Sequence, residues 1–223
     1  YSGAGDWLFK GQEHEVVLQN GVFSRKGTER IIRYAFETAK KEDRSLTSIS
    51  KANALNYSMV FWDQVFEEVS REYPEVETAS YLVDAAAMLM IKDPKRFEVV
   101  VTSNLFGDIL TDLGAALAGG IGLAAGANIN PEREFPSMFE PIHGSAPDIA
   151  GRGIGNPLAS IWSASQMLDF FGYESHGKVV LEAIEQLLLE ARVLTPDMNG
   201  TASTSEVGDR VTDIIESIIL SKV

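Results

Sequence analysis

Between residues 45 and 118, short apolar runs alternate three times with amphipathic ones, and this constrains the fold more than any other feature. Residues 45–50 and 77–83 read as short strands, and 97–102 (Phe-Glu-Val-Val-Val-Thr) as the clearest buried strand. Each is followed by helical periodicity: 58–73, with Val60, Phe61, Val65, Phe66 and Val69 on one face; the Ala-rich 85–91, stopping near Asp93-Pro94; and 105–118. Alternation of this kind implies a layered α/β fold. With 223 residues, 45% of them hydrophobic, the chain can fill one or two packed layers, so disorder is not expected.

The flanks are less regular. Asn20-Gly21, inside the weakly alternating stretch 16–23, favours a tight hairpin turn and predicts an extended arm. Thr28 is expected to cap a helix whose apolar face is Ile31, Ile32, Ala35, Phe36 and Ala39. Gly119-Gly120, Gly122 and Gly126 predict a flexible stretch and a domain crossing, dividing the chain into 1–117 and 118–223. Helices are expected at 157–171, 178–192 and 205–219. The chain opens at Tyr1 in what reads as a strand-to-loop passage, and a preceding segment is expected.

Composition narrows the chemistry. Lys+Arg total 19 against Asp+Glu 32, a formal charge of −13, which argues against attraction to phosphate backbones, so nucleic acid is not an expected partner. The absence of cysteine removes disulfides, thiolate metal sites and thiol nucleophiles. With only 3 His, a metal here would be a hard ion on oxygen, Mg²⁺ or Mn²⁺, rather than zinc on imidazoles. No apolar run reaches membrane-spanning length, and the expectation is a cytoplasmic protein that does not engage a membrane.

Two motifs concentrate the reactive residues. In Asn104-Leu-Phe-Gly-Asp108-Ile-Leu-Thr-Asp112 the aspartates are spaced i, i+4, so on a helix they share one face within reach of a single cation. Asp84 opens another helix directly after a strand, where α/β sheets place ligands; a lone Asp there would simply cap its helix, but the trio offers oxygen ligands for a divalent ion. Lys51 ends a strand facing the same edge. A lysine beside a cation and partly desolvated becomes able to take a hydroxyl proton, although a solvated lysine is the blander reading. Tyr1 is either a proton donor or a strand aromatic.

The second motif, Phe139-Glu-Pro-Ile-His143-Gly-Ser-Ala-Pro-Asp148-Ile-Ala-Gly151, is not the Gly-x-Gly-x-x-Gly dinucleotide fingerprint. Gly144 permits close backbone approach, His143 can lie against an adenine, and Asp148 can accept from both ribose hydroxyls. An acid there repels a 2′-phosphate and so favours NAD over NADP. Without such a ligand the segment is an ordinary structural turn.

Together these motifs, continued to Asn156-Pro157, resemble the two signatures of the β-decarboxylating dehydrogenases, which include isopropylmalate, isocitrate and tartrate/D-malate dehydrogenases. Asn56-Tyr-Ser-Met-Val-Phe-Trp-Asp63 and residues 128–139 resemble the tartrate/D-malate branch more than the isopropylmalate branch. The resemblance implies a two-domain isopropylmalate dehydrogenase-like fold: layered α/β with an extended dimerisation arm, residues 118–223 forming the later part of a dinucleotide-binding domain. It covers only the later part of a family member, without the family's first strands, its substrate-carboxylate arginines and the acid near the nicotinamide. Ser50 stands where many relatives have Asp, and Gly155 where many have Ala.

Position by position, the resemblance implies that Asp84, Asp108 and Asp112 ligate Mn²⁺ or Mg²⁺, with Asp84 supplied across a homodimer. Lys51, also from the partner, would be the base, and Tyr1 the acid that protonates the enol. His143, Gly144, Ser145, Ala146, Asp148, Ile149 and Asn156 would contact the adenosine side of NAD. The implied activity is metal-dependent oxidation and decarboxylation of a small 2-hydroxy dicarboxylate such as D-malate or tartrate. Isopropylmalate oxidation is the alternative within the class, and a non-catalytic regulatory partner subunit the alternative outside it.

Overall fold

The computed structural model describes residues 4–221. Strands β1 (Gly5–Leu8) and β2 (Val16–Gln19) pair antiparallel, Gly5 opposite Gln19 and Leu8 opposite Val16. The hairpin therefore turns through residues 9–15 and not at Asn20-Gly21, where the sequence pattern placed it. Phe9 and Gly11 take left-handed conformations (φ 55° and 77°), and the Glu15 carboxylate closes the loop by accepting from the Gly11 amide (2.9 Å) and the Trp7 indole. Both strands are exposed along their whole length, as an extended arm requires.

Helix α1 (Arg25–Glu42) starts one turn earlier than Thr28 suggested. Its N-cap is Ser24, whose hydroxyl accepts from the Gly27 amide at 3.1 Å, while Thr28 lies buried inside the first turn. Ile32, Ala35, Phe36 and Ala39 are buried, but Ile31 falls outside the stripe and is exposed. Helix α2 (Ser58–Ser70) buries Met59, Trp62, Val65, Phe66 and Val69, with Val60 and Phe61 only half-buried. The two helices share one core with Leu46 and Val101, and Arg33 ties their outer faces through a two-pronged contact with Glu72 (2.7 Å each).

Three parallel strands, β3 (Leu46–Ser50), β4 (Thr78–Leu82) and β5 (Val99–Thr102), lie in the order β4-β3-β5. Every residue of β3 is buried because it is central. The run expected to be most buried, β5, is an edge of this sheet and buries only Val101. Helices α3 (Val83–Lys92) and α4 (Asn104–Ala118) follow β4 and β5, and Ala86 and Leu110 pack with Ile49 in a second small core.

The chain divides into two compact units between Leu113 and Gly114, inside α4 rather than at the glycines that follow it. The second unit opens with a two-stranded antiparallel ribbon the sequence did not announce, β6 (Ala125–Asn128) and β7 (Met138–Pro141), so part of the stretch expected to be flexible is ordered. Helices α5 (Leu158–Phe170), α6 (Glu174–Glu190) and α7 (Thr204–Ser221) bury Leu158, Ile184, Leu187, Val207, Val211 and Ile214 in one core. Among the described residues no helix is long and apolar enough to cross a membrane.

Two glycines of this unit should respond oppositely to alanine. A Cβ on Gly177, in α6, would lie 2.9 Å from the Ser165 carbonyl of α5 and closer still to the Asp169 carboxylate. Gly177→Ala should therefore cost about 1–3 kcal/mol despite the helix propensity of alanine. At Gly155 the new methyl would meet only the Thr204 hydroxyl at 3.9 Å, so Gly155→Ala should add about 0.5 kcal/mol. Urea unfolding midpoints of the two variants check both signs.

Candidate functional site

The parallel register places the reactive residues. Ser50 pairs with Leu82 and Ile49 with Thr102, so the three strands end level, and the residues that follow emerge at one carboxyl edge. Lys51 leaves β3 there, Asp84 sits in the first turn of α3, and Asn104 opens the helix that carries Asp108 and Asp112.

Lys51 and Asp84, 33 residues apart in sequence, meet at this edge with Nζ to Oδ1 at 2.6 Å. The lysine side chain is 25% exposed and the carboxylate 67%, so the ammonium is sheltered while Asp84 keeps an open side for a ligand. Asp84 titrates below the ordinary carboxylate range, chiefly because Lys51 donates to it, with further help from the backbone amides of Asp84 and Ala85 at the helix start. The residues behind the lysine are braced. Ser50 Oγ donates to Asp63 Oδ2 (3.1 Å), Trp62 Nε1 donates to Ser48 Oγ (3.1 Å), and Thr102 Oγ1 donates to the Ile49 carbonyl (2.7 Å). Burial raises the Asp63 carboxyl, and the Ser50 hydroxyl partly offsets that. Asp63 thus sets a carboxylate beside Ser50, at the position where an acid was noted as missing.

Asp108 and Asp112 both face solvent from α4, beside the exposed Ile109. Among the described residues of the single chain, no three carboxylate or imidazole groups gather into a metal-holding cluster. Asp84 is paired with Lys51 instead. The donor set still suits a hard divalent ion, being carboxylates alone with ligand-accessible oxygens. Tyr1, the expected acid, lies outside the described residues.

The second motif forms a turn in the other unit. β7 delivers Ile142, whose amide bonds to the Ala124 carbonyl (2.9 Å), and His143 follows half-buried. Its Nδ1–H donates to the Gly144 carbonyl (3.0 Å), which leaves Nε2 for a ligand. Gly144, Ser145 and Asp148 are exposed, and Ala146 is held at φ 43°, where its carbonyl accepts from the Ile149 amide (3.1 Å). Asn156, half-buried, accepts at Oδ1 from the Leu158 amide and donates from Nδ2 to Asp197 Oδ2, each at 3.0 Å. Sequence reasoning missed Asp197, which is 41 residues from its partner and sits in a short turn with no motif of its own. Asp63 closes the stretch noted at 56–63, but its contact with Ser50 was not anticipated, since only the fold brings the two together.

Residues 1–211 match the family model described as isocitrate/isopropylmalate dehydrogenase. The chain belongs to that family. It is 48% identical over 221 residues to a D-malate dehydrogenase (decarboxylating) of Escherichia coli, covering 96% of this chain and 61% of that protein. A probable tartrate dehydrogenase/decarboxylase of Bacillus subtilis is 47% identical (95% and 59% covered), and a 3-isopropylmalate dehydrogenase of Thermobifida fusca 50% identical (95% and 59%). The crystal structure of isocitrate dehydrogenase from Methylococcus capsulatus superposes with a TM-score of 0.87 at 38% identity, covering 96% of this chain and 63% of that one. The chain thus spans about 60% of the length of the curated relatives it matches. Identity does not separate the tartrate, malate and isopropylmalate relatives.

The Lys51–Asp84 contact has a titration signature. Asp84 has a lowered folded-state pKa, so the pair is intact above the ordinary carboxylate value and is lost as pH falls through the lower, folded one. Carboxyl carbon NMR of Asp84 should give a midpoint below about 3.9. Lys51→Met should move it upward, and an unmoved midpoint would show that the contact does not form in solution.

Proposed function

We propose that the protein oxidises and decarboxylates a small 2-hydroxy dicarboxylate such as D-malate or tartrate, using NAD and Mn²⁺ or Mg²⁺. The observation that carries this reading is the Lys51–Asp84 contact at the carboxyl edge of the parallel sheet, in the unit that also bears Asp108 and Asp112. Asp84, Asp108 and Asp112 would hold the ion, which when bound acidifies a coordinated hydroxyl and offsets charge on substrate oxygens, while NAD accepts the hydride. Lys51 takes the hydroxyl proton. Its Nζ donates to Asp84 in this structure; a cation engaging that carboxylate would free the amine, which after giving one proton to solvent has the lone pair that accepts the hydroxyl's. Cleavage of the bond to the carboxylate β to the new ketone releases CO₂ and leaves its electron pair delocalised onto the ketone oxygen as an enolate, and Tyr1 would return a proton to carbon. Asp148 accepts from the ribose hydroxyls and disfavours a 2′-phosphate. The Thermobifida relative keeps 3-isopropylmalate as a second substrate reading. A regulatory role is less well supported, because Lys51, Asp84, Asp108 and Asp112 are all present.

Two copies share each site in this proposal, Lys51 and Asp84 serving the partner while Asp108 and Asp112 serve their own chain. Support comes from unburied apolar surface beside these residues: Met88 and Ile91, one and two turns along α3 from Asp84, and Leu105 and Ile109 flanking Asp108. The arm adds Trp7, Val17 and Leu18, equally uncovered.

Turnover of D-malate, tartrate and 3-isopropylmalate by the full chain with NAD and Mn²⁺ tests the substrate reading, with the first two expected to be favoured. Asp108→Asn should lower kcat/KM by about a hundredfold or more, and unchanged metal-dependent turnover would defeat the ligand assignment. Sharing is tested by mixing. Lys51→Met and Asp112→Asn should each be inactive alone, yet refolded together they should recover about a quarter of the normal rate, since half the dimers are mixed and each carries one intact site. No recovery would mean that each chain builds its own site.

A further inference from the structure

Asn156 is the one proposed adenosine contact whose side-chain atoms have partners that fix which end is which. Its Oδ1 accepts from the Leu158 amide, a group that can only donate, and its Nδ2 donates to the Asp197 carboxylate, a group that can only accept. The amide cannot flip without breaking both bonds. The remaining face of Nδ2 meets Met198 Sδ at 3.2 Å, so its hydrogens are engaged while Oδ1 keeps a free lone pair.

Asp197 is itself held. Its turn, Pro196–Met198, starts on proline, and the Thr195 carbonyl accepts from the amides of both Met198 and Gly200 (3.0 Å each). Gly200 has no room for a side chain against Leu194. On the far side, a Cβ on Gly122 would stand 2.6 Å from Asp197 Oδ2 and 3.0 Å from Asn156 Nδ2, so bare backbone walls the pair in.

The geometry points to Asp197 as a specificity-determining residue: by occupying the Asn156 amide donor it turns this corner of the cofactor site into an acceptor surface, Asn156 Oδ1 and Asp197 Oδ1, that selects a purine bearing a 6-amino group over one bearing a 6-oxo group. This rests on the reading of residues 143–156 as the adenosine side of the NAD site. Adenine offers N6–H donors to such a surface. Hypoxanthine presents a carbonyl oxygen there, and facing acceptors leave one another unpaired. Once Asp197 is removed, Nδ2 can donate to that carbonyl and the discrimination fades.

Calorimetric titration of the full chain with NAD, nicotinamide hypoxanthine dinucleotide and nicotinamide mononucleotide tests this without turnover. The unsubstituted protein should bind NAD about tenfold more tightly than the hypoxanthine analogue. Asp197→Ala should bring that ratio to about two or less, mainly by tightening the analogue. Asp197→Asn, which keeps an acceptor oxygen and the side-chain volume, should restore part of it and serves if the alanine variant does not fold. A ratio that is unchanged in both variants, as when both dinucleotides weaken equally, or that falls only because NAD weakens, overturns the role of Asp197 alone. NAD binding no tighter than the mononucleotide in the unsubstituted protein overturns the adenosine reading and the inference with it.

Discussion

The pairing of β3 with strands on both sides is the constraint on which the catalytic reading rests. Five consecutive buried residues leave this strand no face on which an error in register would go unnoticed. A slip of one residue against β4 would invert the facing of Thr47, Ser48 and Ile49 and pull Trp62 and Asp63 of α2 off their hydroxyl partners. Lys51 emerges where it does because that pairing ends at Ser50 and Leu82, and Asp84 is brought to it by the start of the next helix. A hydrogen bond between residues so far apart in sequence is thus a product of sheet register rather than of local conformation.

Periodicity made the strand–helix order legible, and with it the α/β class, because each period reports one buried face. It failed where burial depends on neighbours. The valine-rich run at 99–102 looks more buried than Leu46–Ser50, but apolar composition cannot say which strand is central, and the polar Ser48 and Ser50 can be buried because their hydroxyls meet Trp62 and Asp63 of α2. Asn20-Gly21 carried a strong local turn signal. The hairpin turned earlier because the longer loop is closed by the Glu15 side chain, a contact no dipeptide rule contains. Ser24 displaced Thr28 as cap for a related reason: Thr28 is needed in the core.

The candidate site shows the same division. Asp84 and Lys51 were picked out by their places at a helix start and a strand end, and Asp108 and Asp112 by their i, i+4 spacing; the structure puts the first two in direct contact. Among the described residues of the single chain the three aspartates do not gather into a cluster, and the proposed convergence takes a second copy. Asp197, which holds Asn156, left no mark in the sequence, and Asp63, though it closes a noted stretch, was not marked there as a partner of Ser50. Hydrogen-bond partners of this kind are chosen by where two distant elements happen to pass, and neither spacing nor composition encodes that.

The arm at the beginning of the described residues has an implication for handling the protein. A two-stranded ribbon with both faces wet is marginal in water, and among the described residues no third strand lies along either rim. A cover of the kind proposed would therefore also protect it: left bare, the arm presents an adhesive edge and a protease-accessible loop at residues 9–15 together. A bare ribbon is thus a local aggregation liability that a net charge of −13 spread over the chain does not remove.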